Sequence, residues 1–374
     1  MKKYIFADYN NSLVNLIASI GKSYGLEMTA TSLELLDREL AKNYRSVVLL
    51  LLDGMGSFIM DKHLSKDSFL QRKKVADYSS VFPSTTAAAT TVLTSGKSPI
   101  ETGWLGWHQY FPQVDHDVIL FTGRGYYDER LEEPNPAYKY LSYETFVQRL
   151  RNKGIEATTL YPKWSKENPT RSKGAFFRQI KRFVKRGQNR QYLYAYWDNP
   201  DHLMHEFGTD DLRVKKMLRD VDKRIERLSK KLPADALLIV TADHGHHDVK
   251  SLYLNEYPDF LKTLVRLPSI DSRNSTFFVR EDKNKEFEAL FEEYFASYFL
   301  LIKKEDVLKQ KLFGLGSPHP LALDFIGDYQ AVAIDDYQFS YKSEDDKANS
   351  FEMKAAHAGI LEDEMIIPLI LIHR

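Results

Sequence analysis

Apolar residues fall along this chain in two alternating textures. Short solid runs, Ser46-Val-Val-Leu-Leu-Leu-Leu52 and Ala236-Leu-Leu-Ile-Val-Thr241, leave no polar face and read as strands buried on both sides. Longer stretches repeat apolar residues at three- and four-residue spacing. Leu13, Leu16, Ile17 and Ile20 form one such set, Leu33, Leu35, Leu36 and Leu40 a shorter one, and Met217, Leu218, Val221, Ile225, Leu228 and Leu232 another. That spacing marks helices with one inward face. A helix over 143–152, a strand over 155–160, a helix over 174–186 and a strand over 191–196 continue the alternation, and strands return at 331–334 and 365–372. The order predicts an α/β fold: a mostly parallel central sheet with helices on both faces, in a single domain over 1–374. Between about 253 and 330 the alternation lapses. An apolar, acidic helix over 285–302 and the loop Gly314–Pro320 are expected to form a small inserted lobe. The aromatic stretch 104–142 reads as a loop-rich wall, and the basic residues of 174–186 as a solvated helix face.

Polar residues then become informative by where they interrupt this pattern. The first buried strand stops at Asp53-Gly-Met-Gly56, and the second delivers Asp243-His244-Gly245. In open α/β sheets the carboxyl edge of the strands is where ligands bind, and a buried acid or imidazole there must be paired, hydrogen-bonded or metal-bound. Asp201 and His205, four apart, share a face if they lie on a helical turn. Val81-Phe-Pro-Ser-Thr-Thr-Ala-Ala-Ala places Thr85 and Thr86 at the start of a small-residue helix that ends at Gly96, where free N–H groups and the helix dipole favour an anion. A lone histidine, His357, stands in the loop His357-Ala-Gly359.

Composition narrows the chemistry. The chain has no cysteine, which excludes disulfides, thiolate catalysis and Cys-type zinc sites and leaves any metal to Asp, Glu, His or a hydroxyl. Its 52 basic and 52 acidic residues cancel, which argues against duplex nucleic acid or an anionic membrane as a bulk electrostatic partner. The opening Met1-Lys-Lys has too short an apolar run behind it for a signal peptide, and no 18-residue apolar segment follows. The expected location is cytoplasmic.

Taken as an ordered set, Asp-Gly at 53, the threonine pair, Asp-x3-His at 201, Thr-Ala-Asp-His-Gly at 241 and His-x-Gly before Glu-Met-x-x-Pro-Leu at 357–369 resemble the alkaline phosphatase superfamily, in its type I phosphodiesterase/nucleotide pyrophosphatase branch. The resemblance implies an alkaline phosphatase-like catalytic domain holding two divalent metal ions, zinc foremost and manganese as the alternative. Asp201, His205 and His357 would hold one ion; Asp53, Asp243 and His244 would hold the other, together with the oxygen of Thr86. It implies Thr86 as nucleophile, by the family's ten-residue count back from the glycine that ends the helix, with Thr85 in reserve. Diesterases of the branch present an asparagine about twenty-one residues beyond the nucleophile, and Trp107 stands there in this chain. His108 and Gln109 are then the candidate phosphate-oxygen donors beside it. The expected substrate is a small phosphate ester such as a nucleotide, hydrolysed through a covalent intermediate. A phosphomonoesterase or phosphomutase and a non-catalytic metal- or ligand-binding protein are the alternatives.

Overall fold

Seven strands hydrogen-bond into the central sheet of the computed structural model, which describes all residues except 1–2, 129, 164, 166–167 and 343–351. The start of the basic opening, Met1 and Lys2, therefore lies outside the described residues. The strands are β1 (Ser46–Leu52), β2 (Lys74–Ser79), β3 (Glu156–Pro162), β4 (Pro169–Thr170), β5 (Gln191–Trp197), β6 (Ala236–Thr241) and β7 (Ile366–Ile372), in the spatial order β2-β7-β6-β1-β5-β3-β4. β1 pairs in parallel with both β5 and β6, so that Leu49 faces Tyr194 on one side and Ile239 on the other. Every residue of β1 and β6 is buried, which is why neither run carries polar alternation. Only β7 runs against the rest, antiparallel to both β6 and β2.

Helices cover both faces of this sheet. α1 (Leu13–Ser23), α2 (Thr86–Ser95) and α3 (Phe146–Asn152) pack as one group, and α4 (Lys173–Arg186) and α6 (Leu212–Ser229) as another. Between them in sequence, α5 (Asp201–Phe207) is a short helix directly after β5. The basic residues of α4 lie on its outer side, while Phe176, Phe177, Ile180 and Val184 face inward. Among the described residues no helix is long and apolar enough to cross a membrane.

A second sheet of six antiparallel strands stands against the first. Its order is Phe299–Lys303, Tyr329–Ala333, Asn274–Phe277, Ser269–Ile270, His108–Phe111, His116–Ile119. Four of its strands come from 269–333, and two from the aromatic stretch expected as loops. That stretch folds as a hairpin, with Pro136–Tyr140 a short helix behind it. His108 and Gln109 are both buried, so the first strand shows none of the apolar/polar alternation that announces a half-buried strand. The helix expected over 285–302 ends at Tyr294, and Phe299–Lys303 is instead a strand paired with Tyr329–Ala333. Periodicity does not separate a short apolar run in a strand from one in a helix; here pairing decides. The edge strand β2 went unforeseen, because its first four residues alternate between half-buried and exposed with Val75 on the exposed side.

A buried ion pair ties the two sheets. Arg273, which leads into Asn274–Phe277, is fully buried, as is Glu364 just before β7. Arg273 Nε and Nη2 each donate to the Glu364 carboxylate at 2.7 Å, and its Nη1 donates to the carbonyls of Asp335 and Tyr337. Glu364 in turn accepts from the N–H of Gly359 at 2.9 Å, so it also holds the loop that carries His357. Removing one partner of a fully buried pair leaves a bare charge and costs about 3–5 kcal/mol. Glu364→Ala is therefore expected to lower unfolding stability by that amount. Urea unfolding followed by far-UV circular dichroism measures it, and a shift under about 1 kcal/mol would show the tie to be dispensable.

Candidate functional site

β6, β1 and β5 are neighbours and parallel, so their carboxyl ends open at one edge. Asp53 follows β1, Asp243 follows β6 by one residue, and Asp201 begins α5 after β5. All three acids are turned into the same recess. The turn after Asp53 requires Gly54, whose φ of 71° and whose close approach to Asp201 and His246 leave no room for a side chain. The Gly54 N–H and the His244 N–H both donate to Asp243 Oδ1, each at 3.0 Å. Tyr196 donates its hydroxyl to Asp53 Oδ2. The other oxygen of each acid, Asp53 Oδ1 and Asp243 Oδ2, is buried with no hydrogen-bond partner.

Those two bare oxygens face one imidazole nitrogen. His244 Nε2 lies 3.4 Å from Asp53 Oδ1, 3.6 Å from Asp243 Oδ2 and 3.1 Å from Thr86 Oγ1. Thr86 is the first residue of α2, and Thr85 is its N-cap with extended backbone. The two hydroxyls have different fates. Thr85 is fully buried and donates to Asp271 Oδ2 at 2.9 Å, whereas the half-buried Thr86 points into the acid recess. The free N–H groups of the first turn of α2 face the same way.

A second group gathers beside it. His205 sits one turn along α5 from Asp201, with Nε2 at 3.3 Å from Asp201 Oδ1, and His357 Nε2 lies 3.6 Å from the same oxygen. His357 arrives on a loop whose next residue, Ala358, has a φ of 88°, a strained backbone of the kind found where a side chain must be aimed. His246, which the sequence did not single out, places Nε2 at 2.6 Å from Asp201 Oδ1. By proximity alone, Asp201, His244, His246 and His357 converge as one set of potential ligands and Asp53, Asp243 and His244 as another. The signal of His246 in the sequence is the histidine-rich run His244-Gly-His-His247.

The electrostatics follow from burial. Desolvation, with the charges of Asp243 and Asp201, pushes the Asp53 carboxyl well above its ordinary range. Burial also pushes Asp201 up, but His205 and His246 outweigh it and hold Asp201 well below the usual carboxylate range. His205 ends raised, because Asp201 overcomes its burial, while burial and the neighbouring His244 push His357 well down. Burial takes His246 down to about 3.

The residues around Trp107 separate on inspection. Gln109 is fully buried and spends its amide on the loop, accepting from Leu105 N at 2.7 Å and donating to Gly103 O at 3.0 Å. Both ends of its amide, one of the expected phosphate-oxygen donors, are thus engaged by the backbone of the loop before it. Trp107 remains partly exposed, with its ring against Phe121. His108 is held at Nδ1 by Asp117 at 2.5 Å, and its ring stacks on Tyr126 at 3.5 Å. Asp117 is itself fixed by Ser269, and His108 pairs across the sheet with Ile270, the residue before Asp271.

A parallel sheet with acids and a hydroxyl gathered at its carboxyl edge, and a smaller antiparallel sheet beside it, is the architecture of the alkaline phosphatase superfamily. Within it, a family model described as type I phosphodiesterase/nucleotide pyrophosphatase matches residues 47–359. The chain belongs to that family. Murine ectonucleotide pyrophosphatase/phosphodiesterase 5 has a similar structure at 18% identity, with a TM-score of 0.66 over 88% of each chain. An inactive variant of that protein, solved in complex with AMP, superposes with a TM-score of 0.63 at 17% identity, over 86% of this chain and 87% of that one. Phosphonoacetate hydrolase from Sinorhizobium meliloti, in complex with phosphonoformate, matches at 15% identity with a TM-score of 0.64, over 88% of this chain and 90% of that one. These likenesses show the fold. No curated protein sequence matches the chain.

Asp53, buried beside Asp243 and Asp201, opposes the metal-free fold, because burial and those two charges push its carboxyl up. A carboxyl whose folded pKa is raised contributes stability below its unfolded value of roughly 3.9, and that contribution is lost as pH rises through the folded value. At neutral pH, Asp53→Asn is expected to stabilise the metal-free protein by about 1–3 kcal/mol, since the amide keeps an acceptor for Tyr196 without the charge. Thermal unfolding in chelator from pH 5 to pH 8 reads this. A melting temperature equal to or below that of the unsubstituted chain at pH 8 would contradict it.

Proposed function

We propose that the chain hydrolyses phosphodiesters of the nucleotide type through Thr86, in a site that holds two divalent cations. The observation that carries this reading is the Thr86 hydroxyl at 3.1 Å from His244 Nε2, beside the unpartnered Asp53 Oδ1 and Asp243 Oδ2. Two buried carboxylate oxygens without any donor are costly unless a cation takes them up. They fit a metal with oxygen and nitrogen ligands, and zinc or manganese suits that donor set. Asp53, Asp243, His244 and Thr86 would hold one ion; Asp201, His205 and His357 would hold the other. When bound, such a pair supplies the charge that stabilises the attacking and leaving oxygens of an in-line displacement.

The chain's own groups supply the rest. Thr86 is presented at the helix N-terminus, so the N–H groups of the first turn face a phosphate oxygen as negative charge builds there. Its oxygen forms a bond to phosphorus while the bond to the leaving alcohol breaks, and the hydroxyl proton ends on that alcohol. Water then attacks the same phosphorus, restores the Thr86 hydroxyl and releases the acid product. Thr85 is spent on Asp271 and serves to seat the helix. Replacing Thr86 by Ala is expected to lower turnover by on the order of 10³-fold or more, with metal content nearly intact. Acid trapping and peptide mass spectrometry should find the covalent adduct on Thr86; an adduct on Thr85 would reassign the nucleophile.

Charge supports the diester reading. Among the described residues, none of the side-chain hydrogen bonds or ion pairs of Asp53, Thr86, Asp201, His205, Asp243, His244 and His357 involves an arginine or lysine. A dianionic monoester calls for such a group, while a singly charged diester needs less compensation. Trp107 and Tyr126, both partly exposed, offer flat surface on which a base or aryl group stacks. The ratio of kcat/KM for a nitrophenyl nucleotide diester over nitrophenyl phosphate should exceed one. A ratio well below one, retained after Trp107→Asn, would make the protein a monoesterase.

A further inference from the structure

Four histidines crowd the recess, and three share a habit that the fourth breaks. His205 turns Nδ1 to the carbonyl of Ala355 at 2.8 Å, His244 to that of Gly245 at 2.8 Å, and His357 to that of Ser84 at 3.1 Å. A carbonyl only accepts, so each of these Nδ1 atoms carries the proton, and in the neutral ring each Nε2 keeps a free lone pair. That is the arrangement of a metal-ligating imidazole, oriented by its other nitrogen. His246 has no partner at Nδ1, although it is completely buried, and its Nε2 is the atom on Asp201. An ionised carboxylate also only accepts, so the proton of His246 is on Nε2, and that nitrogen has no lone pair to give.

Spacing leads to the same division. Two atoms bound to one tetrahedral cation at roughly 2.0–2.1 Å lie about 3.3 Å apart. His205 Nε2 and His357 Nε2 stand 3.3 and 3.6 Å from Asp201 Oδ1, whereas His246 Nε2 stands at 2.6 Å. The first two are ligand spacings and the third is a hydrogen bond. We propose that His246 is a positioning residue: it donates to Asp201 Oδ1 and thereby aims that carboxylate at the ion held with His205 and His357. This rests on the two-cation reading above. His246 owes its place to Gly54, where a Cβ would lie 3.0 Å from the His246 ring.

The test measures zinc itself, by elemental analysis at saturation and by competition with a chromophoric chelator. The unsubstituted chain should hold two equivalents; if it holds none, the two-cation reading fails and this inference goes with it. His246→Leu should still hold two, with one of them weakened by about 10–100-fold, the usual effect of losing a group that orients a ligand. His246→Gln, whose amide nitrogen reaches to the same distance, should recover most of that loss, whereas His205→Ala should lose one equivalent outright. Loss of a whole equivalent in His246→Leu would make His246 a ligand, and unchanged affinity would make it a bystander; either overturns the proposal. Should the leucine variant fail to fold, ¹⁵N-histidine NMR of the unsubstituted zinc-loaded protein decides the matter. One ring must be protonated at Nε2 while three are protonated at Nδ1, and four rings alike would refute it.

Discussion

Negative charge buried against negative charge is the constraint to which the rest of this structure answers. Asp53, Asp201 and Asp243 reach one recess because β6, β1 and β5 are parallel neighbours that end together. A slip of one residue in either pairing would turn an acid from the recess toward a covering helix. Solid runs of Leu, Ile and Val on both faces pin the register, so the hydrophobic core stabilises what electrostatics opposes. Three histidines, each oriented by a backbone carbonyl, and one that leans on Asp201 complete the arrangement.

Among the contacts that bind the second sheet to this recess, one is charged and one strained. The charged point is Arg273 on Glu364, which fixes the loop before β7 and with it His357. At the other, Ile270 adopts a φ of 86°, rare for a β-branched residue. The next residue, Asp271, thereby meets Thr85 at the start of α2. His108 is delivered from the adjoining strand and locked by Asp117. The second sheet thus touches the helix that begins at Thr86 and the loop of His357 at once, and any change in its seating is felt by both.

How much of this was legible in the sequence depended on the period of each segment. β1, β5 and β6 are continuous apolar runs, and α1 and α6 carry a regular stripe, so their places were plain. Asp53 and Asp243 were readable because each ends such a run, and Asp201 and His205 because a four-residue gap has one meaning on a helix. The second sheet was obscure for physical reasons. Its hairpin at 108–119 buries His108, Gln109, His116 and Asp117, polar groups satisfied by partners far away in sequence. The strand Phe299–Lys303 is too short to show its own period beside the helix before it. His246 escaped notice because its role rests on a contact with Asp201, 45 positions away.

The place of β7 has a consequence for how the molecule comes into being. It lies between β2 and β6, yet it is the last strand made of the seven. Until it emerges during synthesis, the flanks of β2 and β6 stay unpaired, and exposed strand flanks are templates for stray pairing. His357 and Glu364 belong to the same late segment. A chain without β7 is therefore an incomplete sheet without a finished recess. The strand that completes the core is thus also the one that brings the loop of His357 to the recess.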